Sequence, residues 1–184
     1  MSPFRTLVAH ASAPLPGIAL VADAQRVGPD LLRFDWAIEG PLDELRLPEP
    51  SEPRAADDLW RHTCLEAFVR PAGARAYVEL NLSPSRAFAV YRFRAYRERD
   101  DAAGRPSAPT RIEARREGAR LVLSARLDVA AVLGDPEAAS GPLEVGLSAV
   151  IETTDGRIAY FALRHPEGKP DFHHDDAFAL RLEA

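Results

Sequence analysis

The sequence predicts an all-β fold: an antiparallel β-sandwich, jelly-roll or Ig-like, of about ten strands with one short helix. A single domain spanning residues 1–184 is expected. Three observations carry this. Short runs alternate apolar and polar residues with period 2, the spacing that sorts strand side chains onto two faces. Clusters of Gly, Pro, Asp and Ser punctuate the runs. Helical periodicity is almost absent, the exception being residues 128–133, where Asp128 is placed to cap a helix.

Taken in order, Leu32, Phe34, Trp36 and Ile38 share one face of an early strand, opposite Arg33, Asp35 and Glu39, so Trp36 is a core residue. In the next run Cys64, Glu66 and Phe68 point one way and Leu65, Ala67 and Val69 the other. Tyr77, Glu79 and Asn81 likewise oppose Val78, Leu80 and Leu82, and a run rich in aromatics and arginines follows to Arg97. Leu121, Leu123, Ala125 and Leu127 oppose Arg120, Ser124 and Arg126. Leu143, Val145, Leu147, Ala149 and Ile151 form the longest clean alternation. Residues 158–163 are apolar on both faces, which places them centrally in a sheet. Two hairpins are explicit: Glu117-Gly118 joins 110–116 to 119–127, and 153–156 joins 143–152 to 157–164. Segments 47–58, 100–109 and 134–142 read as surface loops.

With 46% apolar and 28% charged residues and a net charge of −5, the chain reads as a soluble globular protein, with neither nucleic acid nor membrane as a partner. The locally basic segment 111–126 is interleaved with Glu113 and Glu117 and reads as a solvated strand pair. A single cysteine, Cys64, excludes an internal disulfide and sits where a buried, inert thiol is expected. No run reaches the length of a membrane span, and His10, Pro14 and Pro16 interrupt any signal-type apolar stretch, so a cytoplasmic location is expected. Nucleophile elbows, phosphate loops and dinucleotide fingerprints are missing.

A sheet face holding Glu66, Glu79 and Asn81 is unusual, because buried charges need partners. Two accounts compete. In one, Arg92 and Arg94 neutralise the glutamates in an internal salt-bridge network. In the other, Glu66, Glu79, Asn81 and Arg92 bond a small-molecule ligand while Trp60 and Tyr77 stack on it. Two carboxylates would also serve acid/base chemistry such as glycoside hydrolysis, where their separation decides the outcome. His62 adjoins this patch. The run from Arg164 to Asp176 holds three histidines and three aspartates and is broken by Pro166 and Pro170. It is an irregular loop from which His165 and His173 would approach the ligand. Asp171, His174, Asp175 and Asp176 are its candidate metal ligands, although the spacing matches no established metal motif.

The segments LWRHTCLEAFVR at 59–70, YVELNLSPSRAFAVYRF at 77–93 and FALRHPEGKPDFHHDDAFAL at 161–180 resemble the bacterial DOMON-like proteins, which are similar to type 9 carbohydrate-binding modules. The resemblance implies a sandwich that binds sugar or haem without catalysis of its own. Haem-binding members use a methionine–histidine pair, and here the only methionine is Met1, so haem is disfavoured. Calcium held by loop carboxylates in some sugar-binding relatives makes a divalent cation at Asp171, Asp175 and Asp176 the cofactor to look for.

The expected function is therefore a non-catalytic module for a saccharide or saccharide-like ligand. The alternatives are a metal-dependent or acid/base enzyme built on Glu66, Glu79, His62 and the C-terminal loop, and a haem-binding redox module.

Overall fold

In the computed structural model, which describes residues 4–103 and 108–184, the chain is all-β. Its strands are β1 (Arg5–Ala9), β2 (Ala19–Arg26), β3 (Leu31–Glu39), β4 (Arg54–Ala55), β5 (Cys64–Pro71), β6 (Tyr77–Leu82), β7 (Ala87–Ala95), β8 (Glu98–Arg99), β9 (Arg111–Glu117), β10 (Arg120–Asp128), β11 (Leu143–Glu152), β12 (Ile158–Ala162) and β13 (Leu180–Leu182). They form one curled, hydrogen-bonded path in the order β4-β7-β6-β5-β11-β12-β1-β2-β3-β10-β9, with β13 beside β11 and β8 beside β7.

Strand β1 makes the path continuous. Its first residues pair with β2, and Val8 and Ala9 pair with β12. Two arms result. Leu32, Phe34, Trp36 and Ile38 from one meet Leu65, Ala67, Val69, Val78, Leu80 and Leu82 from the other in a common apolar core. The period-2 alternation set this up: each strand had one apolar face to hide, and burying it drives the arms together. Both hairpins form where expected, with Gly118 and Gly156 in the left-handed region that a tight turn requires. Strand β12 lies between β11 and β1, as its two apolar faces predicted.

Helix α1 (Val129–Leu133) carries the Asp128 cap, whose side chain accepts from the Ala131 N–H. Segment 134–142, expected as loop, contains a second helix, α2 (Pro136–Ser140). There Asp135 caps the Ala138 N–H and proline occupies the first turn. Its length hid it: five residues hold too little periodicity to register, although the cap and proline are ordinary start signals. In segment 47–58 the structure adds the short β4, parallel to β7. Segment 100–109 falls partly outside the described residues, as does Met1.

The C-terminal segment crosses the outer face of β5 and β11 to reach the site. Its 3-10 turn at 175–177 lies so close to β11 that a Cβ on Gly146 would sit 2.9 Å from the Ala177 carbonyl oxygen, so this crossing needs glycine. Arg70 fastens the crossing. It binds Glu144 at 2.7 Å and Asp175 at 2.5 Å, and its guanidinium lies over the Phe178 ring. Among the described residues no helix is long and apolar enough to cross a membrane.

Candidate functional site

The outer face of β5, β6 and β7 holds the carboxylate patch. Cross-strand register aligns Phe68 with Glu79, Glu66 with Asn81, and Glu79 with Tyr91. Cys64, Phe68, Tyr77, Phe93, Val150, Phe172 and Phe178 form a second apolar cluster on this side. The C-terminal segment covers part of it and leaves a cleft of about 680 Å³. Glu66 and Glu79 lie in the lining, together with Trp60, Tyr91, Phe93, Tyr160, Phe172 and His173. Asp57, Asp58, Arg61, Arg97 and Arg99 add charges of both signs.

The two glutamates are buried yet sparsely served. Glu66 is 3% exposed, and its Oε1 has no hydrogen-bond partner among the described residues. Glu79 is 6% exposed; its Oε1 accepts from Asn81 at 2.7 Å, and its Oε2 stands 3.8 Å from His173 Nε2, longer than a hydrogen bond. Burial raises the Glu66 carboxyl well above its ordinary range, and the neighbouring Glu79 charge adds to this. Burial likewise pushes Glu79 up to about 7, against the Asn81 hydrogen bond and the Arg99 and Arg97 charges, which lower it. Such a pair retains protons that exposed glutamates would have lost.

His173 is positioned by a network behind the cleft. The Arg97 N–H donates to the Tyr77 hydroxyl at 3.0 Å, and that hydroxyl meets His173 Nδ1 at 2.7 Å. Burial pushes His173 down to about 4, so at neutral pH the ring is uncharged. Tyr77 therefore donates to Nδ1, and the ring proton sits on Nε2, toward Glu79. Asp171 anchors the same network, accepting from the Tyr96 hydroxyl, the Arg97 guanidinium and the His173 N–H. Asp58 and Arg97 both line the cleft and both adopt positive φ, 59° and 54°. Strained non-glycine backbone of this kind collects at binding sites.

The structure thus brings Trp60, Glu66, Glu79 and His173 together at the cleft, with Asn81 beside Glu79. Other expected residues go elsewhere. Tyr77 is no stacking platform: it is 3% exposed, and its ring lies flat against Phe93 at 4.7 Å. Arg92 shares the parity of Val90, which belongs to the main core, so it points away from the glutamates. Its guanidinium donates to the Ala131 and Val132 carbonyls of α1. Arg94 pairs with Glu98. The expected Arg92/Arg94 network across Glu66 and Glu79 is accordingly not what holds this face together. His62 meets Glu152 at 2.7 Å, outside the cleft lining, and His165 Nε2 meets the Val8 carbonyl at 2.8 Å.

The metal candidates disperse. Asp171 is bound into the Tyr96–Arg97 network, Asp175 pairs with Arg70, and His174 Nδ1 accepts from the Asp176 N–H. Among the described residues no three His, Cys, Asp or Glu side chains are grouped to hold a metal ion. Sequence reading missed Tyr91, Phe93, Arg97, Arg99, Tyr160 and Phe172. The odd-numbered aromatics of β7 were the available signal, but the parity of Tyr91 relative to Glu79 depends on the intervening turn.

No protein-family model matches the chain, and no curated protein matches it. Among solved structures, the crystal structure of a "putative carbohydrate-binding protein" from Bacteroides uniformis aligns with TM-score 0.66 and 15% sequence identity, covering 98% of this chain and 85% of that one. At that identity the likeness is one of fold.

Proposed function

We propose that the protein binds a saccharide or saccharide-like small molecule in the cleft above Glu66 and Glu79. The observation that carries this reading is the pairing of an aromatic wall with buried, under-bonded carboxyls in one open cleft. Apolar ring faces stack on the C–H surface of a pyranose, while planar carboxyl and amide groups bond its hydroxyls, the division of labour typical of a small-molecule site. Trp60, 49% exposed at the rim, supplies a stacking face. Glu79, Glu66, Arg97 and Arg99 supply the polar contacts. The carbohydrate-binding description of the Bacteroides uniformis fold neighbour and the DOMON-like resemblance of residues 59–70 and 77–93 point the same way.

Acid/base catalysis through His62 has less support, since His62 is engaged by Glu152. The test is a thermal-shift panel of mono- and disaccharides on the full chain. A ligand at about 100 times its dissociation constant adds about 2.7 kcal/mol and raises the melting temperature by several degrees. That shift is expected for at least one sugar and is expected to vanish in Trp60→Ala. Silence across the panel, or a shift that Trp60→Ala leaves intact, would refute the reading.

A further inference from the structure

Glu66 has neighbours in register on both sides. Asn81 of β6 lies opposite it on one flank and Ser148 of β11 on the other. Side chains directly opposite on adjacent strands share a face, with Cβ atoms about 5 Å apart. Each of the three carries a buried polar atom without a partner: Asn81 Oδ1, Glu66 Oε1 and Ser148 Oγ. Six such atoms occur among the described residues, and half of them fall in this one row. Ala89 and Ala162 continue the row outward on the two sides, and Glu66, at its centre, is the member that lines the cleft.

An unpaired buried polar atom is costly, and three in a row point to an absent guest. Their chemistry describes that guest. Asn81 Oδ1 is an acceptor, the Glu66 oxygen is an acceptor when ionised, and the serine hydroxyl accepts as readily as it donates. A primary ammonium brings three donors and no acceptor, which matches; a sugar hydroxyl brings a single donor. The aromatic faces of Tyr91, Phe93, Tyr160 and Phe172 around the cleft also favour a cation. Neither nearby arginine pairs with Glu66: Arg97 pairs with Asp171 and Arg99 with Asp101.

We propose that the Asn81–Glu66–Ser148 row is a subsite for a primary ammonium group, so that the cleft takes an amino sugar in preference to the matching neutral sugar. The proposal rests on the saccharide reading above. Binding would exchange a proton held by the Glu66/Glu79 pair for the ligand's ammonium. The groups facing that pair are Cys64 on β5, Tyr77 and Asn81 on β6, Tyr91 on β7, Ser148 on β11, His173 from the C-terminal segment, Arg97 and Arg99 beyond β7, and Asp57, Asp58 and Arg61 elsewhere in the cleft lining. His173, already uncharged, does not titrate between pH 6 and 8. Affinity for the amine should therefore rise as the pH climbs from 6 towards 7, and level off above that as the ligand's own ammonium begins to lose its proton.

The deciding experiment is isothermal titration calorimetry on the full chain with gluco-, galacto- and manno-configured hexosamines, each beside its N-acetyl and its 2-hydroxyl counterpart. One amine is expected to bind at least about tenfold more tightly than both counterparts, the scale of one charge-assisted hydrogen bond. Glu66→Gln should abolish that preference and Ser148→Ala reduce it, while Trp60→Ala weakens all forms alike. If Glu66→Gln does not fold, titrations of the natural chain in two buffers of different ionisation heat decide: the amine should release protons and the neutral sugars should not. Equal binding of amine and neutral forms, or a preference that survives Glu66→Gln, would overturn the ammonium subsite and leave the saccharide reading standing. Absence of binding by every sugar would overturn both.

Discussion

Two pairs of buried acids lie on opposite arms of the strand path, and their surroundings differ completely. Asp23 and Asp35, 1% and 6% exposed, sit opposite each other on β2 and β3. Asp23 accepts from Arg5 at 2.8 Å and Gln25 at 2.6 Å; Asp35 accepts from Arg33 at 2.6 Å and from the Ser124 hydroxyl. Glu66 and Glu79 are equally hidden, yet among the described residues only one of their four oxygens receives a hydrogen bond within normal length. Burial alone therefore does not distinguish a structural carboxyl from a candidate site. Partnership does, since a fully bonded buried acid holds the fold together, whereas an under-bonded one retains capacity for a ligand.

The sharpest way to break the contrast is pH. Glu79 is raised from 4.5 to about 7 and Glu66 is raised as well, so the folded chain keeps protons that the unfolded chain gives up. The stability tied to them is complete below pH 4.5 and is lost as the pH climbs through 7. A shift of that size corresponds to on the order of 3 kcal/mol. Urea melts at pH 5 and pH 8 should show this loss in the natural chain and a much smaller one in a Glu66→Gln/Glu79→Gln variant. An unchanged slope in the variant would refute the assignment.

The Asp pair is tested by removing its partners. Replacing Arg33 and Ser124 together by alanine strands the Asp35 carboxylate and should cost about 1–3 kcal/mol at pH 7, read by denaturant melts. Trp60→Ala comes next: with the side chain half exposed, stability should stay within about 0.5 kcal/mol, while sugar affinity falls about tenfold, about 1.4 kcal/mol. The smallest effect is expected from Arg92→Ala. Loss of its bonds to α1 should lower stability by about 1 kcal/mol and leave ligand affinity unchanged, because the residue faces away from the cleft. Weakened binding in Arg92→Ala would show that the face assignment is wrong.

Much of the fold was legible because strand periodicity is local. Leu65, Ala67 and Val69 separated from Cys64, Glu66 and Phe68 with no knowledge of neighbouring strands; the first three join the main core, while Cys64 and Phe68 join the second cluster. Half of the site was legible for the same reason: two glutamates and an asparagine on one face. The arginines were not. In β7 both parities are apolar, with Phe88 and Val90 on one and Tyr91 and Phe93 on the other, so composition cannot choose between them. The turn at 83–86, with Arg86 at φ 70°, sets the register and puts Tyr91, not Arg92, beside Glu79.

The sequence by itself determined the all-β class, both hairpin turns, the Asp128-capped helix and the placing of Glu66, Glu79 and Asn81 on a shared face. Each follows from interactions within a few residues: side-chain alternation, glycine at positive φ, an oxygen capping a free N–H. Only the tertiary structure decided that His173, and not His62 or His165, approaches the glutamates, that Asp171 anchors Arg97, and that Ser148 completes the row beside Glu66. Those outcomes depend on strand register and on a C-terminal segment held across β11 at Gly146. They join residues up to 94 positions apart, from Glu79 to His173, and no local rule spans that distance.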